Sequence, residues 1–193
     1  MKRNKKIAIT GGIGSGKSTV MKILQNKGYK VYSCDEVYSV LITERAFLAK
    51  LCAEFGNILD DNGGFDRKKL SEIVFSDANK LKRLNELTHP AIYQKMFTLA
   101  AENNSTCFFE VPLLFEDGKE HLFDEVIVVL RDREKRISEV MKRDNLSMEE
   151  VQKRVKNQVD YDNLNFAKYY VIHNNGDLMQ LNASVDNILD KII

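Results

Sequence analysis

The sequence predicts an α/β fold in which a five-stranded parallel sheet is flanked by helices, and three observations predict it. Five short runs rich in β-branched and aromatic residues occupy positions 6–10, 29–34, 106–111, 125–130 and 169–173. The runs at 106–111 (TCFFEV) and 125–130 (EVIVVL) are almost continuously apolar, as strands covered on both faces are. Stretches with apolar residues at helical spacing separate successive runs, so strand, helix and strand alternate as a parallel sheet requires.

The elements follow in order. KIAIT (6–10) ends in glycines, and from Ser18 onward Val20, Ile23 and Leu24 recur at helical spacing, giving strand, glycine loop and helix. Gly28 stands where that helix should stop, and YKVYSC (29–34) is the second strand. Some seventy residues then show helical stripes and no strong strand signal. Phe47, Leu48, Leu51, Cys52 and Phe55 form one stripe, and Leu81, Leu84 and Leu87 another. Asp61, Asn62, Gly63 and Gly64 predict a tight turn between them, and Pro90 predicts a helix boundary because it lacks a backbone donor. Residues 132–158 are dominated by charge, and Ser147 with Glu150 fits a capping box that starts a new helix after Asn145. Two polar helices joined by a turn suggest a lid. Leu178, Leu181, Val185, Ile188, Leu189 and Ile192 predict a final amphipathic helix that packs back on the sheet. The expected organisation is one domain: a core at about 1–35, 104–131 and 168–193, a helical insertion at about 36–103 and a lid at about 132–167.

Composition bounds the function. Twenty-nine basic against 28 acidic residues give a net charge of +1, too little for a broad attraction to nucleic acid or anionic lipid. No stretch approaches the roughly 20 apolar residues of a membrane span, and the basic start lacks the apolar core of a secretion signal. A soluble cytoplasmic protein is expected, with no nucleic-acid or membrane partner. Cys34, Cys52 and Cys107 are odd in number and widely spaced, which suits reduced thiols better than a disulfide framework.

Gly11-Gly12-Ile13-Gly14-Ser15-Gly16-Lys17-Ser18 fits the phosphate-loop pattern G-x-x-x-x-G-K-[ST] between a predicted strand and a predicted helix, which makes the fold a P-loop NTPase fold. Glycines allow successive backbone N–H groups to converge on phosphate oxygens, and the helix N-terminus adds positive potential. Gly12, Ile13, Gly14, Ser15, Gly16, Lys17, Ser18 and Thr19 are the expected nucleotide-binding residues, with Lys17 reaching the phosphates and the Ser18 hydroxyl reaching Mg2+; the loop alone leaves open which nucleotide and which acceptor. Asp35, after the second strand, fits either a carboxylate that orients or deprotonates an attacking hydroxyl or a helix cap. Glu110, at the end of the third strand, fits either a magnesium-water ligand or an acidic residue tolerated at a strand end. Pro112 and the leucines after it fit a ligand-facing wall or the core. Arg131, Arg133, Arg136 and Arg143 fit transition-state charge neutralisation, but Arg136, Glu139 and Arg143 are also spaced as a solvated salt-bridge ladder. His89 before Pro90 is equally open.

Taken together, TGGIGSGKST (10–19), Asp35, Thr88-His89-Pro90, Val111-Pro112-Leu113-Leu114-Phe115-Glu116, Arg143-Asp144, Gln158 and Ile172-His173-Asn174-Asn175-Gly176 resemble the dephospho-CoA kinase family from end to end. The resemblance implies a helical CoA-binding insertion, a lid closing over ATP, and transfer of the γ-phosphoryl group of ATP to the ribose 3′-hydroxyl of dephospho-CoA. By position it implies Asp35 as base or orienting residue, Lys17 and Ser18 on phosphate and magnesium, and Arg143 as the lid arginine. Thr10, Arg67, His89, Pro112 and Leu113 would lie toward the acceptor. Two positions depart from the family's habit: Ser33 stands where the first of two aspartates is frequent, and Glu139 stands where a lid arginine is common, with Arg136 one helical turn earlier. A nucleoside monophosphate kinase shares the loop and lid, and a nucleotide-dependent switch shares the loop. The guanine-reading Asn-Lys-x-Asp tetrapeptide of GTPase switches is absent; Asn79-Lys80-Leu81-Lys82 lacks the aspartate. A monomer is expected, with weak self-association left open.

Overall fold

A computed structural model describes residues 4–193. The chain forms two compact units: the described residues up to Ser33 together with Asn103–Ile193, and Cys34–Glu102.

The first unit is built on a five-stranded sheet of β1 (Lys6–Thr10), β2 (Lys30–Ser33), β3 (Cys107–Glu110), β4 (Glu125–Leu130) and β5 (Tyr170–His173). All pairings are parallel, in the order β2-β3-β1-β4-β5. All five predicted runs are strands. The order puts β1 at the centre with β3 and β4 beside it, and these three are the strands whose residues are almost all buried. Alternation along β1 sends Ile7 and Ile9 into a core shared with Val20 and Leu24 of α1 (Lys17–Asn26) and Leu181, Val185 and Ile188 of α8 (Leu178–Ile192). The last helix thus packs on the sheet as its stripe predicts. Residues of the opposite parity, including Ala8, Phe109 and Val128, are buried too, so the sheet is covered on both faces.

Local signals act as expected at several boundaries. Gly28 follows α1 at φ 88° and donates its N–H to the Gln25 carbonyl at 2.9 Å. Two charged helices, α6 (Arg133–Asp144) and α7 (Met148–Lys156), follow β4. Asn145 closes α6 in the left-handed conformation, and Ser147 opens α7 with the full reciprocal capping box to Glu150.

The second unit is helical: α2 (Cys34–Leu41), α3 (Arg45–Phe55), α4 (Arg67–Phe75) and α5 (Ala78–Asn103), the last ending one residue into the first unit. Phe47, Leu51 and Phe55 form the buried side of α3, matching the predicted stripe. The turn near Gly63 is organised by Asp60, whose Oδ1 accepts from the N–H groups of Asn62 and Gly64 at 2.9 Å each. One expectation fails: Pro90 does not end a helix, because α5 runs unbroken across it. A proline costs the helix one backbone hydrogen bond, whereas Thr88, Ile92, Tyr93 and Met96 carry one buried face through the position. Burial of that face outweighs the lost bond, and Pro90 itself is exposed.

Candidate active site

The carboxyl edge of the parallel sheet gathers the chemistry. β1 leads into the loop 11–16 and then α1, so the loop's backbone is held between a buried strand and a buried helix. Gly12 admits a close neighbour: a Cβ there would lie 2.2 Å from Nη1 of Arg136, and one on Gly14 would lie 2.6 Å from the Arg136 carbonyl. Helix α6 therefore rests directly on the loop. Further ties fix it from the loops after α7 and β5. The Gln158 Oε1 accepts from the Ile13 N–H at 2.7 Å, and Asn174 Nδ2 donates to the Ser15 carbonyl at 2.8 Å. Asn175 meanwhile accepts from the Asp132 N–H at 2.8 Å, joining the start of α6 to the end of β5.

Lys17 is the buried cation of this loop. Its Nζ donates to the carbonyls of Gly11 at 2.8 Å and Gly12 at 3.2 Å, which folds the side chain back over the loop. Burial pulls its pKa from 10.5 down to about 8, opposed by Glu110 and Glu116 and reinforced by Arg143 and Arg136. Ser18 is exposed in the first turn of α1, where N–H groups precede the helical ladder and remain available to an anion. Several buried polar atoms around the loop make no hydrogen bond, namely Ser15 Oγ, Glu116 Oε2, Arg131 Nε and Arg136 Nε. Orphaned polar atoms in one place fit a site that takes a polar ligand.

Glu110 ends β3 half-buried, flanked in register by Ile9 of β1 and Ser33 of β2. Ser33, the residue that departs from the family's habit, is thus the direct strand neighbour of Glu110. Beyond it, Glu116 Oε1 accepts from the Val159 N–H at 2.8 Å. Tyr161 closes the floor: its hydroxyl lies 3.2 Å from Thr10 Oγ1, and burial pushes its pKa up to about 12. Phe115 packs against Tyr161, Phe166 and Tyr169 with ring centroids 6.2, 5.5 and 5.2 Å apart.

Among the predicted residues, the first unit holds Thr10, Gly12 to Thr19, Glu110, Pro112, Leu113 and Arg143. Pro112 is half-buried and Leu113 exposed, so neither is in the core. Arg143, in the last turn of α6, is exposed and pairs with Asp144 through Nε at 2.7 Å and Nη2 at 3.0 Å. Of the two readings left open for these arginines, the salt-bridge ladder along α6 does not form: Arg136 is buried and pairs with Asp162, while Glu139 approaches Arg131 at 3.7 Å. The second unit holds the others. Asp35 is the second residue of α2, which starts directly after β2, and Ser39 Oγ donates to its carbonyl at 2.8 Å. Arg67 is the first residue of α4, after the capping Asp66, and its charge is felt by Tyr38. His89 is half-buried within α5.

The profile described as Dephospho-CoA kinase matches residues 5–180, nearly the whole length of the chain. The chain belongs to the dephospho-CoA kinase family. A dephospho-CoA kinase from Fusobacterium nucleatum is 37% identical over 188 residues, covering 96% of this chain and 97% of its own. One from Helicobacter pylori is 35% identical over 192 residues, covering 97% of both. Among solved structures, TT1252 from Thermus thermophilus superposes with a TM-score of 0.83 at 32% identity over 100% of both chains. The dephospho-CoA kinase from Campylobacter jejuni gives 0.70 at 29% identity, over 97% of this chain and 96% of that one. Membership makes this an ATP-dependent kinase, a transferase acting on small molecules, and bears out the α/β P-loop architecture. No helix among the described residues is long and apolar enough to cross a membrane.

Sequence reasoning assigned no specific role to three residues that the structure puts beside the loop, Gln158, Asn174 and Tyr161, and left Arg136 open between charge neutralisation and a salt-bridge ladder. Gln158 and Asn174 stand in the family-like stretches, which is a usable signal; for Tyr161 no local pattern exists, because its partner Thr10 is 151 residues away.

Proposed function

We propose that this chain transfers the γ-phosphoryl group of ATP to the ribose 3′-hydroxyl of dephospho-CoA, releasing ADP and CoA. The observation that carries the reading is a phosphate loop with a buried lysine, on a chain that matches the dephospho-CoA kinase family over residues 5–180. Lys17 leaves the Gly11 and Gly12 carbonyls for the phosphates, a charge-assisted exchange that favours its protonated form. The hydroxyl oxygen bonds to the γ-phosphorus, the bond to the bridging oxygen breaks, and ADP leaves with the electron pair. Asp35 receives the hydroxyl proton or orients the oxygen in line. Arg143, on α6, neutralises charge on the phosphoryl group, while Thr10, Arg67, His89, Pro112 and Leu113 line the acceptor's path.

Among the described residues no cluster of three or more His, Cys, Asp or Glu forms a metal cage. The donors present fit magnesium instead, an ion that takes one or two protein oxygens and fills its shell with water and phosphate. Ser18 and Glu110 would hold it, and its charge would offset that of the triphosphate. The reading includes a cytoplasmic location and a monomer that associates at most weakly.

Purified chain with ATP, magnesium and dephospho-CoA should form CoA and ADP in equal amounts. No CoA above background, or a preference for AMP or another monophosphate as acceptor in competition, overturns the assignment.

A further inference from the structure

Arg136 is only 3% exposed, yet its guanidinium is under-used. Both oxygens of Asp162 are served by a single nitrogen, Nη2, at 2.7 and 2.9 Å. Nε makes no hydrogen bond, and Nη1 lies against Gly12 of the phosphate loop. An arginine committed to a carboxylate usually engages it as a fork through two nitrogens. This one is held end-on, with donor capacity left on the side of the loop. A cavity of about 420 Å³ adjoins it, and Gly12, Arg131, Arg133, Arg136, Tyr161 and Asp162 are among its lining residues. Arg133 also approaches Asp162, at 3.9 Å, and Arg131 Nη1 reaches the Gly14 carbonyl at 3.4 Å. Three arginines thus converge beside a loop with the phosphate-binding pattern, and Asp162, the acidic partner of Arg136, comes from an irregular segment rather than from a helix or strand.

We propose that Arg136 is a nucleotide-phosphate ligand and that Asp162 is its internal competitor, occupying the place that a phosphate oxygen takes when ATP binds. This deepens the kinase reading and rests on it. A buried guanidinium needs a counter-anion in the free chain, because an unpaired buried charge is strongly destabilising. Asp162 supplies it, and with its side chain 31% exposed and its segment lacking regular structure it can withdraw. The exchange of one anion for another leaves Arg136 paired throughout. Helix α6 also carries Arg143, but that side chain faces Asp144 at the surface and has no comparable hold on the loop.

The test is direct binding of ATP with magnesium, and of inorganic tripolyphosphate, to the full chain without acceptor, on wild type and on Asp162→Asn, Arg136→Gln, Arg136→Lys and the Arg136→Gln/Asp162→Asn pair. Asp162→Asn should tighten both ligands about three- to tenfold, since it removes the competing charge. Arg136→Gln should weaken both about tenfold or more, Arg136→Lys should recover part of that loss, and in the pair the gain from Asp162→Asn should vanish. Thermal melts without ligand report folding separately, and Asp162→Asn alone decides the outcome if Arg136→Gln fails to fold. Weaker ATP binding by Asp162→Asn makes Asp162 a strut and overturns the proposal, as does tightening confined to ATP or a gain that persists in the pair. If wild type binds no ATP, the kinase reading falls and the proposal with it. If wild type binds and turns over but Asp162→Asn does not tighten, only the proposal falls.

Discussion

Replacing Gly11 by alanine should destabilise the protein far more than the same change at a glycine with nothing within 4 Å of the added methyl, such as Gly28. Gly11 sits at φ 148°, and a Cβ there would lie 2.2 Å from the Val129 carbonyl oxygen and 2.9 Å from Ser15 Oγ. The first of these is backbone of β4, held in the sheet beside β5, so it cannot rotate away; the loop must lift from the sheet by about 1 Å to restore contact. The positive φ costs about 1–2 kcal/mol and the overpacking a further ~1–3 kcal/mol, together about 3 kcal/mol. For a chain of this size that lowers Tm by roughly 6–12 °C. Gly28→Ala is the matched control, because Gly28 also has positive φ, at 88°, but nothing within 4 Å. It should cost only about 1 kcal/mol, or roughly 2–4 °C. Thermal unfolding followed by circular dichroism measures both, and ATP titration should show the Gly11 variant binding more weakly because its N–H groups no longer converge. Equal melting temperatures for the two variants would refute the idea that Gly11 is required by contact with β4.

Further outcomes follow from the same geometry. Because burial lowers the Lys17 pKa to about 8 in the free chain, its charged form carries a folding penalty below that pH, which is relieved as pH rises toward 10.5. Wild type should therefore gain stability relative to Lys17→Met as pH rises from about 8 toward 10.5, and its ATP affinity should fall above about pH 8; a melting-temperature difference independent of pH contradicts this. Asp35→Asn should keep ATP binding within about threefold while losing most turnover, on the order of a hundredfold; unimpaired CoA formation removes Asp35 from the mechanism. Gln158→Leu deprives the Ile13 N–H of its acceptor, worth about 1 kcal/mol, and should raise the KM for ATP about fivefold with a smaller change in kcat; the reverse split would place Gln158 in the chemical step. Ser147→Ala removes the α7 capping box and should cost about 1 kcal/mol in chemical denaturation.

Much of the fold was legible because its strongest signals are local. A strand covered on both faces must be nearly continuously apolar, so β3 and β4 announce themselves in FFEV and VIVVL. Capping at Ser147 and the stop at Gly28 depend on residues within one turn of each other. The phosphate loop is legible for the same reason, since eight consecutive residues carry its backbone demands. Pro90 misled because the local rule counts a lost hydrogen bond, while the outcome was set by the face through Ile92 and Met96, whose burial no local rule sees.

Short-range pattern was therefore enough to establish that a parallel sheet carries a phosphate loop and that a charged helix follows its fourth strand. Long-range packing was needed to place β1 between β3 and β4, and to bring Tyr161 to Thr10 across 151 positions. It was needed as well to choose between two arginines. Positions 136 and 143 are seven apart and share one face of α6, so helical period gives them the same standing. Only the docking of one particular turn of that helix against Gly12 and Gly14 buries the first and leaves the second in water, and that depends on where two distant segments of chain meet.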